Sequence, residues 1–411
     1  MTAATLLNGI RIIDLSMGWA GPLACRHMAD MGADVIKVES CERFDWWRSW
    51  EATQEWIESN GAEKSTAFNT VNRNKRDITL DLEHPEGRTL LLDLVKTANI
   101  VVENYSGSVL PKLDLSFEIF RKAKPDIILL SMPAFGSTGP WSNFRAYGST
   151  VEQSSGLPHL NGSGDDLPTM QHVALGDAVG GLTGAAAILV ALRHQSRTGE
   201  GQFVDLSQVE GLFPMASHGI LEYAATGNSP ERTGSRFGNS LVRGVYACKG
   251  EDQWVAIECS SEDHWSALTD EIGKALAEFG DYATAKHRVD EIDSVLSDSF
   301  RDKEAKEVMR QLQSIGIPAA AALTTVDILN DPHLAQRGFW QFQERAFVGL
   351  QPHPSPPYRV GKEPISIASA APTLGEHNEE ILKTVLGLED EDVSRLETLG
   401  VIGNRPRMPS K

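Results

Sequence analysis

The first third of the chain alternates short β-branched runs with helical patterns, and this rhythm restricts the fold more than any other feature. Apolar runs at 10–15 and 34–38 flank a helical stretch at 23–31. The pattern resumes with a run at 78–82, a helix opened by Pro85 that carries Leu90, Leu91, Leu94 and Val95, and further runs at 100–102 and 127–130. Strands separated by helices make βαβ units, and near-continuous apolar strands belong to parallel sheets covered on both faces. An open α/β sheet is therefore expected. Further on, the pattern predicts a long helix over 177–194, a strand at 203–206 and a helix in which Ser207 and Glu210 form a capping box.

The β/α pattern fades near 225. Gly and Ser thicken over 227–244, after which 245–248 and 254–259 read as a β-hairpin, with helices around 261–276 and 304–313. This predicts a second, smaller α+β domain over 226–325. The Pro-rich stretch 352–364 is extended by the fixed φ of its prolines, and helices are expected over 376–386 and 390–399.

Charge and cysteine usage exclude several function classes. The 411 residues carry 38 Lys and Arg against 56 Asp and Glu, a net charge of −18, so the average surface repels nucleic acid and acidic membranes. An anionic ligand would need a local concentration of basic groups. Cys25, Cys41, Cys248 and Cys259 form no CxxC pair, which supports neither a zinc site nor a disulfide framework and fits free thiols in a reducing compartment. Since no stretch approaches 18 uninterrupted apolar residues and the first residues lack a signal-peptide pattern, the chain reads as cytoplasmic and unanchored. None of the 11 histidines has HxxxH or HExxH spacing, and neither a GxSxG elbow nor a Walker A sequence occurs, so no metal site, hydrolase or P-loop is indicated.

Four segments could carry chemistry. The turn Ser16-Met17-Gly18-Trp19-Ala20-Gly21-Pro22 follows the first strand, where helix N-termini attract anions; a purely structural turn is the competing reading. Asn72-Arg73-Asn74-Lys75-Arg76 places three cations within four residues and could bind phosphate or carboxylate, or form a solvated face. Trp46, Trp47, Trp50 and Trp56 could be core, lid or interface. Asp177 opens a helix of small residues, Ala178-Val179-Gly180-Gly181-Leu182-Thr183-Gly184-Ala185. It could be an N-cap, or a carboxylate held in one geometry for nucleophilic attack beside a closely approaching neighbour.

Several of these motifs occur together in one known order. Gly9-Ile10-Arg11-Ile12-Ile13-Asp14-Leu15-Ser16, Ala20-Gly21-Pro22, Ala29-Asp30-Met31-Gly32-Ala33-Asp34 and Lys37-Val38-Glu39 resemble the opening of the class III CoA-transferases, which include formyl-CoA transferase. Asn74-Lys75-Arg76, Pro85-Glu86-Gly87, Val102-Glu103-Asn104-Tyr105, Phe135-Gly136-Ser137-Thr138-Gly139-Pro140, Gly176-Asp177 and Thr198-Gly199-Glu200-Gly201-Gln202 continue the resemblance, strongly over the first 225 residues and loosely beyond.

The resemblance implies a Rossmann-like large domain assembled from 1–225 and a C-terminal return segment 326–411, a small domain between them, and two interlocked chains forming a homodimer. It implies transfer of coenzyme A from an acyl-CoA to a small carboxylic acid, with Asp177 as nucleophile and no tightly bound cofactor. By motif, Met17, Gly18, Trp19 and Ala20 fall on the loop along the CoA chain, Asn72 and Lys75 on the nucleotide pocket, Asn104, Tyr105, Lys112 and Arg145 on further CoA contacts, and Tyr147 on an active-site wall. Three departures stand out. The glycine-rich shielding loop of the family has no counterpart in 238–244, Trp19 replaces a polar side chain near the acid, and Ser40 replaces a basic residue. A bulkier or more apolar acid than formate or oxalate is expected. The related α-methylacyl-CoA racemases use a histidine where this chain has Gly148. A CoA-ester lyase and a non-catalytic CoA-binding protein are the remaining alternatives.

Overall fold

The computed structural model describes residues 6–50, 52–172, 174–236, 238 and 240–408. Two compact units divide the chain, one formed by Met1–Leu157, Met170–Ile220 and Pro332–Lys411, the other by Pro158–Thr169 and Leu221–Asp331.

In the first unit, β1 (Arg11–Asp14), β2 (Asp34–Glu39), β3 (Arg76–Thr79), β4 (Ile100–Glu103), β5 (Ile128–Ser131) and β6 (Phe203–Asp205) form one sheet of order β3-β2-β1-β4-β5-β6. Every pairing is parallel. This is the doubly wound Rossmann-like arrangement, with the strand order reversing between β1 and β4. Alternation along β1 sends Ile13 to one core with Ile36, Ile78, Leu91 and Leu94, and Ile12 to another with Val35, Ile100, Ala24 and Ile188. Both faces of the sheet are thus covered, as the apolar strands require.

Helix α1 (Ala20–Asp30) follows β1, α2 (Pro85–Lys96) follows β3, and α3 (Gly148–Gln153) precedes α4 (Leu175–Thr198). Helix α4 is longer than expected and, by length and apolar composition alone, could cross a membrane. The approach foreseen from its small residues is to α1. A Cβ on Gly181 would stand 2.7 Å from Leu23 and 2.9 Å from the Ala20 carbonyl oxygen, and one on Gly184 would meet Met132 at 2.7 Å.

One sequence expectation is corrected. The segment after β6 is a 3₁₀ helix, Glu210–Ala216, whose N-cap residue Val209 offers no side-chain cap, and the Ser207 hydroxyl is buried without a partner, so the capping box is absent. Residues 158–169, expected in the large domain, group with the small unit, where Ser163 bridges Thr233 and the Arg232 guanidinium donates to the Ser163 carbonyl at 3.1 Å. The longer stretch of the second unit runs from Leu221 to Asp331.

The second unit contains an antiparallel sheet β7-β8-β9, formed by Val242–Ala247, Trp254–Cys259 and Ala319–Ala321. Amphipathic helices pack Trp265, Leu268, Ile292, Leu296, Val308 and Leu312 into its core. Of the loop expected to lack a glycine-rich shield, Asn239 lies outside the described residues. The C-terminal segment returns to the first unit, where Asn378 Oδ1 accepts the Thr79 N–H at 2.8 Å.

Replacing Gly181 by Ala should lower stability by about 1–3 kcal/mol, since overpacking against the Ala20 backbone outweighs the roughly 1 kcal/mol gained in helix propensity. A urea midpoint equal to or above wild type would contradict the close α1–α4 contact.

Candidate active site

Ligands of doubly wound sheets sit beyond the strand C-termini at the topological switch point, here between β1 and β4. The loops after those strands are clasped together. The Met17 N–H donates to Asn104 Oδ1 at 2.9 Å, and Asn104 Nδ2 donates to the Met17 carbonyl at 2.8 Å. Gly18 has φ +75° and a Cβ there would stand 2.2 Å from the Trp46 ring, so only glycine fits without displacing the indole. Its N–H donates to Asp45 Oδ1 at 2.8 Å. A cleft of about 730 Å³ opens beside this loop, lined by Met17, Phe44, Trp46, Trp50, Leu80 and Tyr105 among others.

Asp177 lies in the first turn of α4 but does not cap it, because the N-cap position belongs to Ala174. Its carboxylate reaches another segment instead, accepting the Gly148 N–H at 3.1 Å. Partial burial raises its pKa to about 6, while the N–H groups of Gly148 and Ala20 work in the opposite direction. The close α1–α4 contact brings the first residue of α1 to this carboxylate. What results is a half-buried, ionisable carboxylate with raised basicity and two fixed backbone donors.

The space beside Asp177 is closed on one side. A Cβ on Gly148 would lie 2.2 Å from Asp177 Oδ2 and 3.0 Å from the Ala174 Cα. No histidine fits at 148 with the carboxylate in this position.

The other expected residues separate into groups. Trp19 and Ala20 begin α1, and Tyr147 stands at the N-terminal boundary of α3. Tyr147 packs edge-on against Trp46 at 5.6 Å and Trp50 at 5.4 Å. Lys112 ends the short helix Val109–Lys112, whose Val109 lines the cleft, and its side chain is exposed. Arg145 is exposed and makes no ion pair among the described residues.

Asn72 and Lys75 are both buried and do not line the cleft. Lys75 Nζ spends its three donors on Asp14 Oδ2 at 2.8 Å, the Pro22 carbonyl at 2.9 Å and Asn72 Oδ1 at 2.8 Å. A fully donated ammonium has nothing left for a phosphate. The neighbouring cations are likewise paired, Arg73 with Asp30 and Arg76 with Asp34. The three cations of the basic run are thus already paired within the protein.

Two contributors escaped sequence reasoning. Asp45 holds the N–H groups of Gly18 and Trp47, and His172 stands edge-on to Trp19 at 5.9 Å. Neither belongs to a spaced motif. Both are brought to the loop by tertiary folding. The tryptophan group divides, with Trp46, Trp47 and Trp50 near the loop and Trp56 stacked on Phe44 at 5.5 Å.

The sequence profile of CoA-transferase family III matches residues 7–378. The chain belongs to CoA-transferase family III. This family III enzyme is 31% identical to the succinate–glutarate CoA-transferase of Agrobacterium fabrum over 93% of its own length and 96% of the relative's. It is 28% identical to human succinyl-CoA:glutarate CoA-transferase, covering 96% of this chain and 90% of that one. Among solved structures, a CAIB/BAIF family protein from Brucella suis superposes with a TM-score of 0.83 at 28% identity, covering 92% of this chain and 99% of the other.

Because the folded-state pKa of Asp177 lies above its usual value, the folded protein binds that proton more tightly than the unfolded chain, and the ionised group costs stability at neutral pH. Asp177→Asn should therefore stabilise the protein at pH 8, by on the order of 1 kcal/mol after solvent screening. The advantage should shrink as pH falls from about 6 toward 4, read from unfolding midpoints across pH.

Proposed function

We propose that this CoA-transferase carries its acyl group on Asp177, exchanging coenzyme A between an acyl-CoA and a carboxylic acid. The Asp177 carboxylate attacks the thioester carbonyl and expels the CoA thiolate, giving a mixed anhydride. The thiolate then attacks the aspartyl carbonyl, which releases the donor acid and leaves an aspartyl-CoA thioester. An incoming carboxylate attacks that thioester and displaces the thiolate, which finally attacks the acyl carbonyl of the second anhydride and frees Asp177. No proton or electron is consumed, and thioester energy is retained. Splitting the exchange into acyl-transfer steps makes each barrier smaller, provided water is kept from the anhydride.

The observation that carries this reading is the packing of Gly148 on Asp177. It leaves the carboxylate ionisable and hydrogen-bonded to backbone while removing the space a racemase histidine would occupy. The cleft of about 730 Å³ beside Met17 and Tyr105 is our candidate for the CoA chain, with Lys112 and Arg145 as exposed cations available to its phosphates. Succinate, glutarate, malate and citramalate appear in the names of relatives, which makes short organic acids the first substrates to try.

Brief incubation with acyl-CoA esters followed by hydroxylamine should place a hydroxamate on Asp177, absent in Asp177→Ala. Modification elsewhere, or α-proton exchange with D₂O without modification, would refute the nucleophile. The rate of trapping should fall about tenfold per pH unit below about 6, as the carboxylate takes up its proton.

We further infer a homodimer of the interlocked kind. Leu182, Ala186, Leu189 and Val190 form an exposed apolar stripe along α4, and Phe213 and Met215 are exposed nearby in sequence, more apolar side chain than a solvated helix presents. Light scattering should give twice the 44.9 kDa chain mass; a stable monomer at micromolar concentration would dismiss the arrangement.

A further inference from the structure

We propose that the acid preferred at Asp177 bears a single carboxylate and a planar aromatic or arylalkyl group. This rests on the transferase reading above and names its substrate class.

A continuous line of rings runs past the nucleophile. Tyr147 meets Trp46 and Trp50, Trp46 meets Trp47 at 6.0 Å, Trp47 meets Trp19 at 5.4 Å, and Trp19 meets His172 at 5.9 Å. The line is tied to Asp177 through its own hydrogen-bond donors. Tyr147 precedes Gly148 and Trp19 precedes Ala20, the two residues whose N–H groups face the carboxylate. His172 accepts the Ala174 N–H at 3.2 Å through Nδ1, and Ala174 is the residue against which Gly148 packs.

These rings are not sealed as a core would be. Tyr147 is 58% exposed and Trp50 is 67% exposed, while Trp19, Trp46 and Trp47 are half-buried. Open aromatic faces beside a reacting group offer stacking to whatever the acid carries beyond its carboxylate.

The buried positive charge nearby is already committed. Lys37 is buried against Asp45 at 2.9 Å, and Lys75 against Asp14. His172 already accepts the Ala174 N–H at Nδ1. Arg145 is the exposed cation on the Tyr147 segment and the group that would answer a second carboxylate. A dicarboxylate would otherwise bring an unpaired charge against aromatic walls, which is costly.

Donor and acceptor acids pass through the same anhydride on Asp177, so acyl-CoA esters report on the acid site. The test compares hydroxylamine-trapped modification of Asp177 by phenylacetyl-, 3-phenylpropionyl-, butyryl-, succinyl- and glutaryl-CoA. The aryl esters should react with kcat/KM at least tenfold above the other three. Trp19→Leu should reduce the aryl-to-succinyl ratio by about two- to tenfold, the contribution of one stacked ring, and Trp19→Phe should keep most of it. A ratio measured within one preparation is insensitive to partial loss of folded protein. Faster reaction of succinyl- or glutaryl-CoA, with selective loss in Arg145→Met, would overturn the proposal in favour of a dicarboxylate. Equal rates for butyryl and aryl esters would overturn its aromatic part. If no ester modifies Asp177, the transferase reading fails, and this proposal fails with it.

Discussion

Beneath the loop that follows β1 lies a set of buried ion pairs on which the geometry of the site depends. Lys37 Nζ donates to the Ser16 carbonyl at 2.8 Å and pairs with Asp45, whose other oxygen holds the N–H groups of Gly18 and Trp47. On the other side Lys75 joins Asp14 to the Pro22 carbonyl. Burial alone would weaken the Lys37 ammonium, but the carboxylates of Asp45, Asp14 and Glu39 outweigh it and hold its pKa above the ordinary range. Burial likewise opposes the charge on Asp14, and the two lysines overcome it, keeping its pKa below the ordinary range. Such pairs add little net stability over apolar packing, but removing one partner strands a buried charge at a cost of about 3–5 kcal/mol. Their consequence here is geometric: the backbone from 16 to 22 is anchored through its carbonyls and N–H groups, leaving the side chains of Trp19 and Met17 to the site.

A second constraint comes from small residues. Helix α4 comes close enough to α1 for backbone contact because Gly181 and Gly184 have no side chains. That contact carries Asp177 to the start of α1, and Gly148 permits the third segment to close in. An ordinary side chain at any of these positions would separate the carboxylate from its donors. The raised pKa of Asp177 follows from the same crowding: water is partly excluded, and only two N–H groups replace it. Basicity in the carboxylate is thus obtained from packing, with no neighbouring acid or metal required.

Much of this was legible in the chain. Periodicity identified the parallel strands because their apolar runs must be covered on both faces, and the ordered motifs pointed to the family whose profile matches residues 7–378. The burial of Asn72 and Lys75 was not legible, because a motif records which residues occur together, not whether their polar atoms face inward. Ser207 and Glu210 matched a capping pattern, yet the 3₁₀ geometry of the segment places Val209 at the cap. The tryptophans were visible as a group, but no spacing rule could divide Trp56 from those beside the loop.

By itself, the sequence determined the sheet, its strand direction and the presence of a carboxylate at the head of a small-residue helix, since these follow from local periodicity and residue size. Tertiary structure decided which charges are spent inside the protein, which glycines touch the Asp177 carboxylate, and which rings stand open beside it. Those outcomes depend on contacts between residues as far apart as Gly148 and Asp177, or Lys75 and Asp14. Burial and hydrogen-bond saturation are properties of such contacts, and no window of neighbouring residues contains them.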